Sequence, residues 1–386
     1  MAPAQRLPIV GLSSNVLDAE DASARPDGIG IYTLALERAL IDEGVRVYRI
    51  GNHSRRAHSP SDDLRSIRYP LPWQPAIAAA CALHATLPFV APIEDRIDVY
   101  HATDYLVPNF ARTPVVVTLH DAVPLAHPEW ANPRGRRLKN RLLRSFARSA
   151  ARCIAISRAA LPELVEHYAI DPASIRVVPL GVDAQWFDRP PEQRIVAALN
   201  ARGLARGYFL HVSTLQPRKN VDRLVTAYEQ LPAEIRSRRQ LVIAGRYGWG
   251  VAPLRERLCA LRSAGRFVWL DYVDSAALRA LHYGAHAFVF PSLAEGFGLP
   301  VLEALATGLP VVASDLPALR EVAQDHATYV SPHDVDEIGA AMAKLDDNTG
   351  AAADTEARRL HARKFTWRRC ARGTLDVYRE AAGQKL

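Results

Sequence analysis

At 386 residues, the chain is longer than one typical hydrophobic core requires, so two domains of ordinary size are expected. Hydrophobic residues make up 49% of it and charged residues 23%, a balance that is typical of a soluble globular protein and excludes a disordered or fibrous chain. The formal net charge of +7 favours a polyanionic or phosphorylated partner, but does not choose among nucleic acid, anionic lipid and nucleotide.

Cysteine usage and the apolar segments indicate a cytoplasmic protein. The cysteines form no Cys-x-x-Cys pair, which argues against a disulfide framework or a structural zinc site and fits a reducing compartment. The run 7–11 is too short for a signal peptide and is predicted to be the first strand. The most apolar segment, 75–90, is too short to span a bilayer and is interrupted by His84 and Pro88, so a buried or interfacial helix is expected.

Apolar strand-like runs alternate with amphipathic stretches along the whole chain, a pattern that predicts parallel sheets covered by helices. In the first half, a polar loop is expected over 18–28, a helix over 30–43 and a surface excursion over 52–72. Strands are predicted over 7–14, 45–50, 97–101, 115–121, 153–157 and 175–180.

His120 and Asp121 form the polar end of one of these strands. Ligands of open parallel sheets bind beyond the carboxyl ends of strands, so both residues are candidates for a site. An ordinary structural histidine is the alternative, and the sequence leaves both open.

The segment 133–152 predicts a basic amphipathic helix with no acidic residue. Leu138, Leu142, Phe146 and Ala150 recur every fourth position among arginines, as in helices that lie against anionic lipid headgroups. The alternative is a surface helix whose apolar stripe packs on its own sheet. Nucleic acid is not expected, because the basic run lacks interleaved aromatic residues. The residues assigned to a membrane or acceptor surface are Arg136, Arg137, Arg141 and Arg144.

The periodic pattern weakens over 184–206, where a domain boundary is expected, and then resumes. After the last predicted strand, a loop and then helices are expected, ending with a helix over 365–381. The glycines around 245–250 do not have the Gly-x-Gly-x-x-Gly spacing of a dinucleotide site, so a nicotinamide enzyme is not expected. Strands are predicted over 208–212, 240–244, 267–270, 287–292 and 309–313.

Two strand ends of this second half carry chemistry suited to a nucleotide. Arg218 and Lys219 lie at a strand-to-helix connection, and a guanidinium beside an ammonium suits a diphosphate. Paired cations at the start of a helix oppose its dipole, which disfavours a purely structural role. Tyr272 and Val273, after another strand, are predicted to line a pocket for the base.

The stretch 295–303 places two glutamates around a glycine loop, between a buried strand and a helix start at Pro300. Glycines let a ligand approach the backbone, and the N–H groups at a helix start attract anions. Carboxylates repel phosphate but bind hydroxyl groups, so Glu295 and Glu303 suit the sugars on either side of a diphosphate. Two ordinary solvated glutamates are the alternative.

In chain order, these motifs resemble those of glycosyltransferase family 4, retaining enzymes of the GT-B fold. The resemblance covers nearly the whole chain. Each motif alone is weak evidence for the family, but the order of the motifs along the chain is specific to it. It rests on segments 28–30, 118–121, 179–183 and 216–220, and on Glu295 with Glu303.

The resemblance implies an α/β protein of two Rossmann-like domains whose parallel sheets face a central cleft. The N-terminal domain, 1–185, would bind the acceptor, and a helix of about 366–386 would pack back onto it. The C-terminal domain, 186–365, would bind the nucleotide-sugar donor.

The resemblance also implies roles for single residues. Arg218 and Lys219 would bind the diphosphate, Glu303 the ribose and Glu295 the hydroxyls of the donor sugar. His120 would contact the sugar near the reacting carbon, with catalytic roles for His120, Arg218, Lys219 and Glu295. No metal or other cofactor is implied. The residues expected at the donor are Gly28, Gly30, Arg218, Lys219, Tyr272, Val273, Glu295, Gly296, Phe297, Gly298, Leu299 and Glu303.

The motifs are similar to those of bacterial mannosyltransferases that build surface polysaccharides, which implies GDP-mannose as donor and a glycan or lipid-linked oligosaccharide as acceptor. Such an enzyme would be cytoplasmic, with peripheral attachment to the inner face of the membrane. UDP-glucose or another nucleotide sugar stays open as donor. A GT-B nucleotide-sugar epimerase and a catalytically degenerate partner protein stay open as functions.

Overall fold

A computed structural model describes residues 6–18, 27–51, 66–68, 87, 89–104, 108–130, 136–248, 252–262, 267–347 and 352–383. The chain divides into two compact units. The first comprises Met1–Gly181 together with Thr366–Leu386, and the second comprises Val182–Phe365.

The described part of the first unit contains a sheet of parallel strands in the order β3-β2-β1-β4-β5-β6-β7. Its strands are β1 (Ile9–Ser13), β2 (Arg46–Gly51), β3 (Ser66–Arg68), β4 (Val99–Ala102), β5 (Val115–Leu119), β6 (Arg152–Ala155) and β7 (Ile175–Val177). Its helices are α1 (Asn15–Asp18), α2 (Gly28–Asp42), α3 (Ala91–Glu94), α4 (Val123–Ala126), α5 (Arg136–Ser149) and α6 (Leu161–Tyr168).

The second unit contains a sheet in the order β10-β9-β8-β11-β12-β13, again parallel throughout. Its strands are β8 (Phe209–Val212), β9 (Leu241–Ala244), β10 (Phe267–Leu270), β11 (Ala287–Phe290), β12 (Val311–Ser314) and β13 (Thr328–Val330). Its helices are α7 (Glu192–Asn200), α8 (Val221–Gln230), α9 (Ala233–Arg238), α10 (Ala252–Arg262), α11 (Ser275–Gly284), α12 (Leu299–Thr307), α13 (Pro317–Ala323), α14 (Val335–Asp347) and α15 (Ala352–Ala362).

Each sheet is buried on both faces, as parallel sheets covered by helices require. Every residue of β8, β9, β11 and β12 is buried, and the side chains are mostly Val, Ile, Leu and Phe. The predicted α/β class with two parallel sheets is therefore confirmed.

The last helix, α16 (Trp367–Ala381), belongs to the first unit. It packs on α2 and on strands β5 and β6. Tyr378 is fully buried, and its hydroxyl shares a hydrogen bond of 2.7 Å with Nδ1 of His101. The first unit is thus assembled from both ends of the sequence.

Several predicted elements differ from the structure. The segment 52–72 contains the short edge strand β3, and a strand, β13, follows α13 where a loop and helices were predicted. Both have only three residues, too few for a periodic pattern to mark. The weakly patterned stretch 184–206 contains α7, while 75–86 lies outside the described residues.

Two helix boundaries were also predicted wrongly. The basic helix was predicted to run to Arg152, but α5 ends at Ser149 and Arg152 opens β6, where its guanidinium contacts Glu380. The predicted loop 28–30 is instead the first turn of α2, because the Asp27 carboxylate caps the helix by accepting from the Gly30 N–H at 2.9 Å.

Candidate active site

The strand order of the second sheet fixes where a ligand can lie. From β8 the chain proceeds through β9 and β10 on one side and then returns to β11 on the other. Crevices of open parallel sheets form beyond the carboxyl ends of the two strands where this reversal occurs. Here those ends are Val212 of β8 and Phe290 of β11.

An ion pair spans this reversal point. The ammonium of Lys219 lies 2.5 Å from one carboxylate oxygen of Glu295, and the guanidinium of Arg218 lies 3.4 Å from the other. Arg218 also donates to the carbonyl of Ala294 at 3.2 Å. The structure therefore brings together three side chains that the sequence assigned to the donor.

A single turn after β8 holds the two cations. Asn220 ends this turn in a left-handed conformation, φ 57°, and is buried. Its side-chain amide donates to the carbonyls of Pro291 and Pro332, at 2.8 and 2.6 Å. The turn is thereby tied to the loop after β11, which carries Glu295.

The Glu295 carboxyl is ionised at neutral pH. Burial by itself raises the pKa of a carboxyl group, but Lys219 and Arg218 outweigh that effect and the pKa of Glu295 lies below its ordinary value. Beneath the pair, burial lowers the pKa of His211 to about 4, and this neutral ring donates from Nδ1 to the Val289 carbonyl. Sequence reasoning missed His211, because a histidine inside an apolar strand carries no site signal.

The loop after β11 turns through Gly298 into α12. Gly298 has φ +101°, and a Cβ atom there would lie 2.4 Å from Leu319 Cδ2, so glycine is required. The helix begins at Leu299 with Pro300 second, not first as predicted, and the first N–H groups of a helix have no intrahelical acceptor. Those N–H groups and the helix dipole attract an anion.

The other residues predicted along this loop are largely buried. Gly296 and Phe297 are buried, and the Phe297 ring packs edge-on against Phe365 at 6.1 Å. Glu303 is only 4% exposed, although it lies in the second turn of a helix. The alternative of an ordinary solvated glutamate is therefore wrong for Glu303.

Tyr272 and Val273 follow β10 at the same edge of the sheet. Tyr272 is 46% exposed, and the Arg246 guanidinium lies 5.7 Å from its ring centroid. Val273 is buried. A partly exposed aromatic ring held by a guanidinium is a surface on which a planar base can stack.

In the first unit, His120 lies just beyond the end of β5. It is buried, its Nε2–H donates to the Thr103 carbonyl at 3.1 Å, and its ring meets Tyr32 edge-on at 5.0 Å. Burial lowers the pKa of His120, opposed by the Thr103 carbonyl and by the charges of Asp121 and Asp27. Gly28 and Gly30 lie in the helix turn that precedes Tyr32.

Sequence reasoning missed a cluster of small polar side chains where β1 and β4 end. The Ser13 hydroxyl donates to Asp104 at 3.0 Å, and the Asn15 side-chain amide donates to Ser13 at 3.1 Å. The Thr103 hydroxyl donates to the Ser13 carbonyl at 3.2 Å. The two contacts between the strand ends join residues 91 and 90 positions apart, which no sequence motif marks.

The basic helix α5 packs on its own unit. Phe146 is buried in the core of the first unit, and Leu142 and Ala150 pack against it, so the predicted stripe at every fourth residue fails only at Leu138, which is 60% exposed. Leu143 and Ala147, outside the predicted stripe, are buried as well. With 3.6 residues per turn, such a stripe rotates away from the core. The side chain of Arg136 lies outside the described residues, while the exposed arginines are Arg137, Arg141, Arg144 and Arg148.

Within the described residues, no three His, Cys, Asp or Glu side chains are arranged to hold a metal ion. Among the same residues, no helix is both long enough and apolar enough to cross a membrane.

Sequence profiles of two families match the chain. The profile described as Glycosyltransferase Family 4 matches residues 26–186, and that of Glycosyl transferases group 1 matches residues 200–360. Together they cover both units.

Two curated relatives and one solved structure are similar to the chain. The O-antigen chain mannosyltransferase B of Escherichia coli is 30% identical over 73% of this chain and 74% of its own length. A D-inositol 3-phosphate glycosyltransferase of Xylanimonas cellulosilytica is 29% identical over 98% of both chains. Sucrose-phosphate synthase from Thermosynechococcus elongatus has a TM-score of 0.76 at 20% identity, over 97% of this chain and 99% of that one.

The structural likeness identifies the fold as GT-B. Some other matching mannosyltransferases of Escherichia coli are longer, and the chain spans about a third of their length.

Proposed function

Because the chain belongs to glycosyltransferase family 4, we propose that it transfers a hexose from a nucleotide sugar to a glycan or lipid-linked oligosaccharide during polysaccharide or lipopolysaccharide synthesis. The observation that carries the proposal is the buried Lys219–Glu295 pair, with Arg218, at the reversal point of the second sheet. Cations fixed beside a carboxylate suit a ligand that joins phosphate to sugar.

The two cations act on the diphosphate. Breaking the bond between sugar and phosphate develops negative charge on the leaving diphosphate, and preorganised donors aimed at that charge stabilise the transition state. Arg218, Lys219 and the N–H groups at the start of α12 supply such donors. Charge on the leaving group is then neutralised by the protein, and no metal ion is required.

The carboxylates act on the sugars. Glu295 accepts from hydroxyls of the donor sugar while Lys219 keeps it ionised, and Glu303 binds the ribose. His120 contacts the sugar near the reacting carbon. Retention of the anomeric configuration, with attack from the face of the leaving group, completes the proposed mechanism.

GDP-mannose is the proposed donor. The printed name of the 30% identical relative, a mannosyltransferase, supports mannose. UDP-glucose or another nucleotide sugar is the second candidate. A degenerate partner protein does not account for the largely buried cations and carboxylate of this site. A nucleotide-sugar epimerase would bind the same donor without an acceptor, so dependence on the acceptor is the property that separates it from a transferase.

The donor site is tested by thermal-shift measurements against GDP, UDP, ADP and their sugars, followed by acceptor-dependent nucleotide release. Arg218→Ala with Lys219→Ala should abolish the shift and lower turnover by about 10²–10³ or more. Lys344→Ala, an exposed lysine of the same unit, is the matched control and should behave as wild type. Unchanged turnover in the double variant would disprove the diphosphate site. Nucleotide release without acceptor would favour a hydrolase, and conversion of the nucleotide sugar into its epimer without release would favour an epimerase.

Helix α5 is proposed to attach the enzyme to the anionic inner face of the membrane through its exposed arginines. Arg137, Arg141 and Arg148 changed to Glu should reduce flotation with anionic liposomes, because each arginine near such a surface contributes about 1 kcal/mol. Arg144 is kept, since its guanidinium donates to the His167 carbonyl.

The control for flotation carries the same change of charge elsewhere on the first unit. Its positions are the exposed Arg38, Arg46 and Arg96. Equal loss of flotation in both triple variants would mean that net charge, not α5, determines binding.

A further inference from the structure

We propose that Ser14, Asn15 and Asp104 form a subsite for an uncharged, hydroxyl-rich group, the sugar at the reacting end of the acceptor. This inference rests on the proposed function and assigns the acceptor's chemistry to residues of the first unit. We call these three residues the polyol subsite.

The strand order of the first sheet places the polyol subsite where a ligand is expected. From β1 the chain runs outward through β2 and β3 and then returns to β4 on the other side of β1. The crevice of this sheet therefore lies beyond the ends of β1 and β4. Ser14 and Asn15 directly follow β1, and Asp104 lies two residues after β4.

Two polar atoms of the subsite are buried without a partner. Asn15 is 8% exposed and Ser14 1% exposed, yet neither Asn15 Oδ1 nor Ser14 Oγ has a hydrogen-bond partner among the described residues. Exchanging the amide's oxygen and nitrogen positions would still leave one amide atom unpaired. A buried polar group without a partner costs about 1–3 kcal/mol, and such groups in native proteins are rare. A ligand that supplies hydrogen bonds explains why they are retained.

The chemistry of the subsite selects a neutral sugar. A carboxylate accepts at up to four positions, so Asp104 can receive a ligand hydroxyl as well as the Ser13 hydroxyl. An amide and a hydroxyl both donate and accept, as the vicinal hydroxyls of a hexose require. The subsite itself contains no cation, and Asp104 repels phosphate.

A comparison with the second unit supports the assignment of a neutral sugar to the first unit. At the corresponding edge there, Lys219 and Arg218 face the loop after β11 and suit a diphosphate. Both edges carry a carboxylate, Asp104 in one and Glu295 in the other, but only the second unit places two cations beside it. One unit is built for an anion and the other for a neutral polyol.

The experiment compares sugar probes on the full-length protein. Saturation-transfer NMR with methyl α-mannoside, methyl α-glucoside and mannose 6-phosphate measures binding to wild type and to Asn15→Ser and Asp104→Asn. With pyrophosphate present to occupy the cations of the second unit, the neutral glycosides should bind more tightly than mannose 6-phosphate, and each variant should weaken glycoside binding by about tenfold. Asp376→Asn, at a side chain 70% exposed on α16, is the matched control and should leave binding unchanged.

A second measurement separates this inference from the proposed function. Inorganic pyrophosphate, which probes the cations of the second unit, should bind to Asn15→Ser and Asp104→Asn as it does to wild type. If the two variants bind both pyrophosphate and the glycosides as wild type does, the polyol subsite is disproved while the proposed function is not affected. Tighter binding of mannose 6-phosphate than of the glycosides while pyrophosphate occupies those cations, or no glycoside binding to wild type, would overturn the subsite too. Absence of turnover with every nucleotide sugar would instead count against the proposed function.

Discussion

Glu295 and Lys219 stabilise each other's charged form in the absence of a ligand. The Lys219 side chain is 10% exposed and that of Glu295 8%, so neither charge is well solvated. Removing one partner of a buried pair strands the other charge, which commonly costs about 3–5 kcal/mol. A bound diphosphate offers Lys219 an alternative anion, so the cost depends on the ligand.

Glu295→Gln should therefore lower the free energy of unfolding by about 3–5 kcal/mol without ligand. Pyrophosphate should raise the melting temperature of this variant more than that of wild type. Because the folded-state pKa of Glu295 is depressed, its stabilisation is present above the ordinary carboxyl pKa and is lost as pH falls through the folded-state value. The difference between wild type and variant should shrink as the solution is acidified through that window.

The control adds Lys219→Met to Glu295→Gln, which removes the stranded cation. This double variant should be more stable than Glu295→Gln alone and should lose the pyrophosphate effect. A double variant no more stable than the single one would mean that Glu295 stabilises the fold through contacts other than the cation.

For single residues, sequence reasoning succeeds where the residues are adjacent in the chain or follow a recognisable strand. It placed Lys219 and Glu295 at strand ends, but their pairing across 76 positions required the sheet order. Asn15 and Asp104 were missed, because small polar residues after a strand are common in any loop. Their burial, which makes them informative, appears only in the folded chain.

Helix α12 depends on the conformation of the residue before it. Gly298 has positive φ, and a side chain there would meet Leu319 at 2.4 Å. The orientation of the first N–H groups of α12 follows from this turn. Shifting the turn would move the anion-binding end of the helix relative to Lys219.

Gly298→Ala should cost about 1–3 kcal/mol of stability, from the left-handed backbone and the contact with Leu319. It should also weaken pyrophosphate binding, measured by calorimetry, because the N–H groups move. Gly203→Ala is the control, since Gly203 has φ +65° and open space around its Cβ position. It should lose stability but not pyrophosphate affinity; weakening of the same size in both variants would disprove the role of the turn.

The elements that sequence reasoning placed well are the long apolar strands, such as β8 and β11. It failed at β3 and β13, which have three residues each and lie at the edges of their sheets. Strands this short form because they pair with a neighbouring strand, not because of a pattern in their own sequence. At α2, two glycines indicated a loop, yet the capping carboxylate of Asp27 and the buried face of the helix outweighed their low helix propensity.

At the scale of the whole molecule, the first unit depends on a helix from the far end of the chain. On α16, the buried side chains include Cys370, Leu375, Val377 and Tyr378. His101 is fully buried between the Tyr378 hydroxyl and the Thr118 hydroxyl, at 2.7 and 2.8 Å, and burial lowers its pKa to about 3. This neutral histidine links α16 to β4 and β5, the strands that precede the polyol subsite and His120.

Ending the chain after Phe365 should therefore destabilise the first unit selectively. The truncation uncovers apolar surface on α2, β5 and β6 and leaves His101 without the Tyr378 hydroxyl, a loss that by itself costs about 1–3 kcal/mol. Hydrogen exchange followed by mass spectrometry should show faster exchange in β4 and β5, while β8 and β11 stay protected. Tyr378→Phe should give the same pattern more weakly, and a chain ending at Ala382, which keeps α16, should exchange as the full chain does. Equal loss of protection in both units would mean that α16 stabilises the molecule as a whole and not the first unit alone.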